Sequence, residues 1–214
     1  MFLSKITSDF LTEQNPNEYI YERHQQVWSL FPSEPFKKER DFIYFFYKKA
    51  IYMVSQKKPL SPSEGEFEIQ TKNYNPSLDL EVGRSLCFDV RLNAQICRNN
   101  KKISVMTAFA NDLKRQGWES EFNWNFIAYE AIKTWFEKRI DTLGFSIIFH
   151  EIVSFHFNKL KKPGNSKIWF NSIDVKGFLK ITNMELFLKS LYYGIGRSRA
   201  FGCGLILIAP LPKE

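Results

Sequence analysis

The order in which helices and strands are predicted along the chain leaves very few possible folds. In the second half, the predicted elements are a strand at 86–94, a helix at 124–139, strands at 145–157 and 168–180, a short helix ending at 193, and a strand at 205–209. Either Thr182 or Asn183 is suited to cap the short helix. The order strand, helix, strand, strand, helix, strand is that of a ferredoxin-like unit.

The first half follows the same order less completely. Its predicted elements are strands at 1–7, 40–48, 50–56 and 67–72, and a helix over 21–31. In place of the second helix, the first half has a turn-rich connection marked by Pro59, Pro62 and Gly65. In the second half, Pro163-Gly164-Asn165 is predicted as the turn between the strands at 145–157 and 168–180. We therefore predict an α+β protein with two tandem ferredoxin-like (RRM-like) domains, at 1–78 and 79–214. Because this fold serves many functions, the site must decide the function.

The helix at 124–139 gives the clearest helical pattern. Its predicted apolar face comprises Phe126, Ile127, Ala131, Trp135 and Phe136, whereas Lys133, Lys138 and Arg139 are expected outside.

The charge of the chain favours a polyanionic partner. Its 30 Lys and Arg residues outnumber 23 Asp and Glu, giving a net charge of +7. No apolar run approaches the roughly 20 residues of a spanning helix, and Met1–Phe10 lacks the apolar core of a signal peptide. These two observations predict no membrane partner. Three cysteines without a CxxC predict reduced thiols in a cytoplasmic protein, and the histidines lack zinc-site spacing, so we expect no metal and no cofactor.

Tyr21 and His24 form the first candidate site. Their spacing would place both side chains on one face of a helix. Metal-free RNA cleavage needs a base near the ribose 2′-OH, an acid near the departing 5′-oxygen and a cation near the phosphate. Histidine suits either proton transfer near neutral pH, and a tyrosine hydroxyl can assist the 2′-oxygen. From spacing alone, a structural histidine is the commoner case.

The second candidate site is a glycine-rich segment before the last strand. It contains Gly194, Gly196, Gly202 and Gly204, together with the cationic side chains of Arg197 and Arg199. Glycines permit positive φ and close backbone approach, so exposed N–H groups could face a phosphate. A turn that packs the two halves of the chain together explains the glycines equally well.

Five segments, in order, resemble the CasE family of type I-E CRISPR systems. They are MFLSKI at the start, YERHQQVWSLFP over 21–32, RDFIYFF from Arg40, LEVGRSLCFDVRLNA over 80–94 and YGIGRSRAFGCGLILIAPL over 193–211. The resemblance implies a RAMP endoribonuclease that cuts at the 3′ base of the CRISPR repeat hairpin without metal. It also implies that the product stays bound and that other Cascade subunits are partners.

The resemblance also implies roles for individual residues. It makes His24 the expected catalytic histidine, Tyr21 its partner, and Lys167 the lysine near the scissile phosphate, with Lys161 or Lys162 as alternatives. The expected RNA-binding residues are Arg98, Lys101, Lys102, Lys114, Arg115, Arg197 and Arg199. The segment at 8–20 lengthens the connection before Tyr21 relative to the family.

Two other functions remain compatible with the sequence. A non-catalytic RNA-binding RAMP subunit would use the same basic residues, with His24 in a structural role. A basic scaffold protein with no RNA role would need only the positive charge. Cleavage that depends on His24 distinguishes the enzyme from the first, and tight, salt-dependent hairpin binding excludes the second.

Overall fold

The structure, a computed structural model, describes residues 1–8, 20–31, 41–62, 66–118, 120–161 and 167–212. The predicted turn at Pro163-Gly164-Asn165, most of the 8–20 segment and the alternative Lys162 lie outside these residues. The first half contains β1 (Phe2–Thr7), α1 (Ile20–Ser29), β2 (Phe42–Tyr47), β3 (Ala50–Ser55) and β4 (Glu68–Asn73).

The second half begins with β5 (Ser85–Leu92) and ends with β10 (Ile206–Pro210). Between them lie β6 (Gln95–Arg98), β7 (Lys101–Ser104), α2 (Val105–Arg115), α3 (Trp124–Glu137), α4 (Ile140–Leu143), β8 (Phe145–Lys161), β9 (Lys167–Ile181) and α5 (Met184–Tyr193). The β6–β7 hairpin, α2 and α4 were not predicted as elements. At the outer end of the β8–β9 hairpin, only the backbone of residues 160, 161, 167 and 168 is described.

The strand orders confirm the predicted fold class. Within the described residues, one four-stranded sheet has the order β2-β3-β1-β4, a second has the order β10-β5-β9-β8, and β6 and β7 form a two-stranded sheet, with every pairing antiparallel. When the strands of each four-stranded sheet are numbered in chain order, the first sheet has the order 2-3-1-4 and the second has the reverse, 4-1-3-2. This is the sheet of a ferredoxin-like domain, found twice. A division at residues 78 and 79 would fall at the end of a 3₁₀ turn, Pro76–Leu78; it remains a prediction.

The aromatic strand β2 is buried on both faces. Phe42, Tyr44 and Phe46 belong to the core of the first domain. Ile43 and Phe45 point the other way, into a second buried cluster that includes Leu205 of the second domain. This double burial explains why β2 is a continuous apolar run instead of an alternating one.

The core of the second domain lies between its sheet and helices α3 and α5. Helix α3 is capped by Asn123, and α5 by Asn183, one of the two predicted capping residues. The expectation that Phe126 lies on the buried face of α3 is wrong, because its side chain is 48% exposed. Each helical residue is turned by about 100° from the last, so Phe126 lies beside the buried stripe that begins at Ile127.

Among the described residues, the structure contains no helix with the length and apolar character that crossing a bilayer would require.

Candidate active site and nucleic-acid interface

Helix α1 holds Tyr21 and His24 at the surface by burying its other side. Ile20, Arg23 and Val27 are buried, whereas the rings of Tyr21 and His24 are half-buried, with centroids 6.4 Å apart. The two side chains therefore lie side by side, at a distance that leaves both partly accessible to a bound molecule.

His24 lies where three distant parts of the chain meet. Its ring centroid is 5.4 Å from that of Phe201 and 6.2 Å from that of Trp28. Phe201 in turn stacks on Phe170 of β9, with centroids 5.6 Å apart. These contacts were not predicted, because Trp28, Phe170 and Phe201 have no recognisable spacing relative to one another in the sequence.

The glycine-rich segment packs the two domains together. Gly194, Gly196, Gly202 and Gly204 all have positive φ. Gly202 lies against the ring of Tyr44, whose hydroxyl donates a 2.9 Å hydrogen bond to the carbonyl of Ala200. The packing role considered from the sequence is therefore present in the structure.

Several N–H groups of this segment are already used within the protein. Gly194 donates to Ser190, Ile195 to the carbonyl of Gly204, and Gly204 to Arg91. The amide of Arg197 donates to the carbonyl of Asn93, and the Asn93 side chain donates to Ser198 Oγ at 2.6 Å. Because these amides already donate to carbonyls within the protein, the side chains of Arg197 and Arg199 are the more direct means of binding a phosphate here.

Arg23 of α1 is buried, and the half-buried Arg91 of β5 carries a charge near it. Arg23 is 3% exposed, with its guanidinium 4.2 Å from the centroid of the Phe46 ring. Burial and the nearby charge of Arg91 lower the pKa of Arg23. The burial of Arg23 was not predicted, although Arg23 falls on the same stripe of the helix as Ile20 and Val27.

Arg91 is held by a network on the face of β5, β8 and β9 that is opposite the core of the second domain. Its guanidinium makes two bonds to the Asp174 carboxylate, of 2.6 and 2.7 Å. Ser154 donates to the same carboxylate at 3.0 Å, and its hydroxyl lies 3.0 Å from Nε2 of His156. This network supports the strands on which Phe170 and the outer end of the hairpin are carried.

Lys167, the expected phosphate-binding lysine, is the first residue of β9. Its backbone pairs with that of Lys161, the described alternative. Three residues further along the strand is Phe170, which stacks on Phe201 beside His24. Three residues of extended strand span about 10 Å, so the Lys167 backbone lies about that far along β9 from Phe170.

A basic cleft of about 510 Å³ opens on the other side of the glycine-rich segment. Its described lining contains five cationic side chains and no carboxylate: Lys102, Arg139, Lys189, Arg197 and Arg199. Arg139 and Lys189 were missed as binding candidates, since each is an ordinary helical residue in the sequence. Because Arg199 and Phe201 belong to one 3₁₀ turn, the cleft and the His24 site share a wall.

The remaining predicted binding residues lie around the β6–β7 hairpin and α2. Lys101 and Lys114 are exposed. Arg98 makes two bonds to the Asp112 carboxylate, one of 2.6 Å, and Arg115 lies 3.7 Å from the same group. Asp112 thus offsets part of the positive charge of this cluster, which does not line the cleft.

The fold and site define a protein of two ferredoxin-like domains with a histidine-containing helix beside a cationic cleft. A family profile described as CRISPR-associated protein matches residues 1–210. The chain belongs to this family, and the predicted resemblance to CasE is confirmed.

Individual relatives agree with the family. The CRISPR system Cascade subunit CasE of Escherichia coli (strain K12) is 24% identical over 226 residues, covering 99% of this chain and all of that protein. A structure of the CRISPR endoribonuclease Cse3 bound to a 19-nucleotide RNA is 17% identical, with a TM-score of 0.70 over 98% of this chain and 99% of the other. Cas6e of Escherichia coli K-12 is 19% identical, with a TM-score of 0.61 over 99% and 100% of the two chains. At these identities the solved structures establish the shared fold.

Proposed function

We propose that this protein is an endoribonuclease that cleaves precursor CRISPR RNA at the 3′ base of the repeat hairpin. Cleavage proceeds without metal, and the protein keeps the hairpin product as a subunit of a Cascade complex. Relatives named as a CRISPR endoribonuclease and as a Cascade subunit, with coverage of nearly the whole chain, support this proposal.

The observation that carries the proposal is the position of His24. It lies half-buried beside Tyr21 on α1 and against Phe201, whose 3₁₀ turn also supplies Arg199 to the basic cleft. A proton-transfer group and a polyanion-binding surface therefore adjoin each other. A stem held in the cleft would present the phosphate at its base to the histidine.

The chemistry needs only groups that the chain and the RNA supply. The ribose 2′-oxygen attacks the adjacent phosphorus while a base removes its proton, and the bond from phosphorus to the 5′-oxygen breaks as an acid protonates that oxygen. The products are a 2′,3′-cyclic phosphate and a 5′-hydroxyl. His24 serves as base or acid, Tyr21 assists at the 2′-oxygen, and Lys167 stabilises the phosphate charge.

Retention of the product follows from where the contacts lie. Cleavage at the base of the stem breaks one bond and leaves the stem phosphates in place. If those phosphates account for most of the affinity, the hairpin stays bound after the reaction.

The test is cleavage of a CRISPR repeat RNA from the same genome in EDTA, under single-turnover conditions. Wild type should make one cut at the 3′ base of the stem. His24→Ala should slow cleavage by about 100-fold or more while binding the hairpin with unchanged affinity, because general acid–base catalysis contributes at least that factor. Gln25→Ala, an exposed position on the same helix, is the matched control and should cut at the wild-type rate.

Other outcomes separate the alternatives. Binding without cleavage by wild type would make the protein a non-catalytic RNA-binding subunit. Equal cleavage rates for His24→Ala and wild type would remove His24 from the reaction.

A further inference from the structure

The outer part of the β8–β9 hairpin exposes three aromatic side chains on one face. Phe157 is 67% exposed, Trp169 48% and Phe155 39%. The rings of Phe157 and Trp169 are tilted against each other, with centroids 5.1 Å apart, and the Lys159 ammonium lies 4.6 Å from the Trp169 ring centroid. We call Phe155, Phe157, Lys159 and Trp169 the hairpin platform.

The strand register shows which way the platform faces. Phe155 pairs with Ile173 and Lys159 pairs with Trp169, so these side chains share the face on which α3 packs. Helix α3 covers the inner part of that face, where Tyr129 stacks on His150 at 4.2 Å. The outer part extends past the helix. Phe170 faces the opposite way, toward Phe201 and the His24 site.

The charge of the hairpin sequence indicates the chemistry of the occupant. From Ile152 to Ile173 the sequence contains four lysines and no aspartate or glutamate. The lysines are Lys159, Lys161, Lys162 and Lys167. Exposed aromatic rings within a purely cationic stretch fit an anionic chain that has flat apolar groups.

We propose that the hairpin platform stacks unpaired nucleotides that flank the RNA stem. This inference rests on the proposed function for the identity of the RNA, and extends it to a second contact surface. Side chains two residues apart on a strand lie on one face about 6–7 Å apart, which lets neighbouring bases stack on successive rings. Lys159 binds the backbone between them.

Single-stranded nucleotides fit this surface better than a stem. In an A-form stem the bases stack on each other and are closed to protein rings, whereas unpaired bases are free to stack on aromatic side chains. The platform and the His24 site lie on opposite faces of the same narrow hairpin. A strand leaving the cut site therefore needs only to pass around its edge to reach Trp169.

The test compares hairpins with and without unpaired flanks, in a His24→Ala background that prevents cleavage. RNAs with a 5′ flank, a 3′ flank, both or neither are measured by fluorescence anisotropy, with 2-aminopurine placed in the flank to report stacking. The flanked hairpin should bind more tightly than the bare stem. Trp169→Ala should lower the affinity for flanked RNA about ten-fold and leave the affinity for the bare stem unchanged. It should also remove the quenching of 2-aminopurine.

The matched control is Phe149→Ala. Phe149 is a 50% exposed aromatic residue on the same hairpin, but it faces the other side beside Phe178. It should change neither the affinity nor the quenching, and Trp169→Tyr should retain most of both. The platform would be overturned if Trp169→Ala lowered the affinity for flanked and bare RNA equally. It would also be overturned if Phe149→Ala had the same effect as Trp169→Ala.

An unstructured eight-nucleotide RNA separates this inference from the proposed function. If wild type ignores the repeat hairpin but quenches this oligonucleotide in a manner dependent on Trp169, the proposed function fails and the platform stands. If the hairpin is cut and flanks add no affinity, the platform fails alone.

Discussion

His150 shows how the environment of one residue links pH to the stability of the second domain. It is 3% exposed, its ring stacks on Tyr129, and its Nε2 lies 3.1 Å from the carbonyl oxygen of the same residue. That geometry suits a neutral ring whose Nε2–H donates. Burial lowers the pKa of His150, so the folded state resists its protonation.

We predict that the free energy of unfolding falls as the pH is lowered from 7.5 to 5.5. An unfolded histidine takes up a proton near pH 6.5, whereas folded His150 does so only at lower pH. Protonation therefore favours the unfolded state in that window, and the contribution of His150 is complete only above about pH 6.5. His150→Gln keeps a donor for the Tyr129 carbonyl but does not titrate, so its unfolding should depend less on pH. Urea unfolding at both pH values measures this, and identical pH dependence in the two proteins would contradict it.

At the scale of elements, the glycine-rich segment depends on close backbone approach as well as on φ. Gly204 has a φ of +90°, and a Cβ there would lie 2.3 Å from the carbonyl oxygen of Ile195. Gly83 has the same φ, but a Cβ there would meet no atom within 4 Å. The two positions therefore separate the cost of the backbone conformation from the cost of a clash.

We predict that Gly204→Ala destabilises the protein more than Gly83→Ala. Both substitutions should cost about 1–2 kcal/mol for an alanine in the left-handed region. Gly204→Ala should cost about 2 kcal/mol more, because the added methyl must displace backbone that bonds Ile195 to Gly204. Urea denaturation of the three proteins at one pH gives both values. Equal losses would mean that the segment adjusts freely around position 204.

At the scale of the whole molecule, part of the excess positive charge, +7 in all, is gathered at the basic cleft. The five cationic residues of the cleft come from the β6–β7 hairpin, the segment after α3, helix α5 and the glycine-rich segment. Only the folded chain brings them together. A surface of this kind should bind a polyanion with strong salt dependence.

We predict that neutralising a cleft lysine lowers the salt dependence of hairpin binding. Lys189→Gln should reduce the slope of log Kd against log salt by about 0.7–0.9, the value for one lost phosphate contact. Lys133→Gln changes the same charge at an exposed position of α3 that does not line the cleft, and should leave the slope unchanged. Fluorescence anisotropy at four salt concentrations measures the slopes. If the slope of log Kd against log salt were the same for Lys189→Gln and Lys133→Gln, the stem would bind outside the cleft.

Much of the fold could be predicted from local patterns. Alternation, aromatic runs and the capping residue Asn183 each depend on near neighbours in the chain, so the strands and helices of both ferredoxin-like units were identified. The β6–β7 hairpin and α2 were not identified, because short polar strands and a mixed helix leave weak periodicity. The outer end of β8 was also predicted too short, ending at Phe157 instead of Lys161.

By itself, the sequence determined the two-domain fold class, the family and the pairing of Tyr21 with His24 on one helix. Only the tertiary structure brought Phe201 and Phe170 to His24, buried Arg23 and assembled the cleft with Arg139 and Lys189. The physical reason is distance along the chain. Periodicity reports which face of an element is buried, but contacts between residues more than 100 positions apart follow from how whole elements pack.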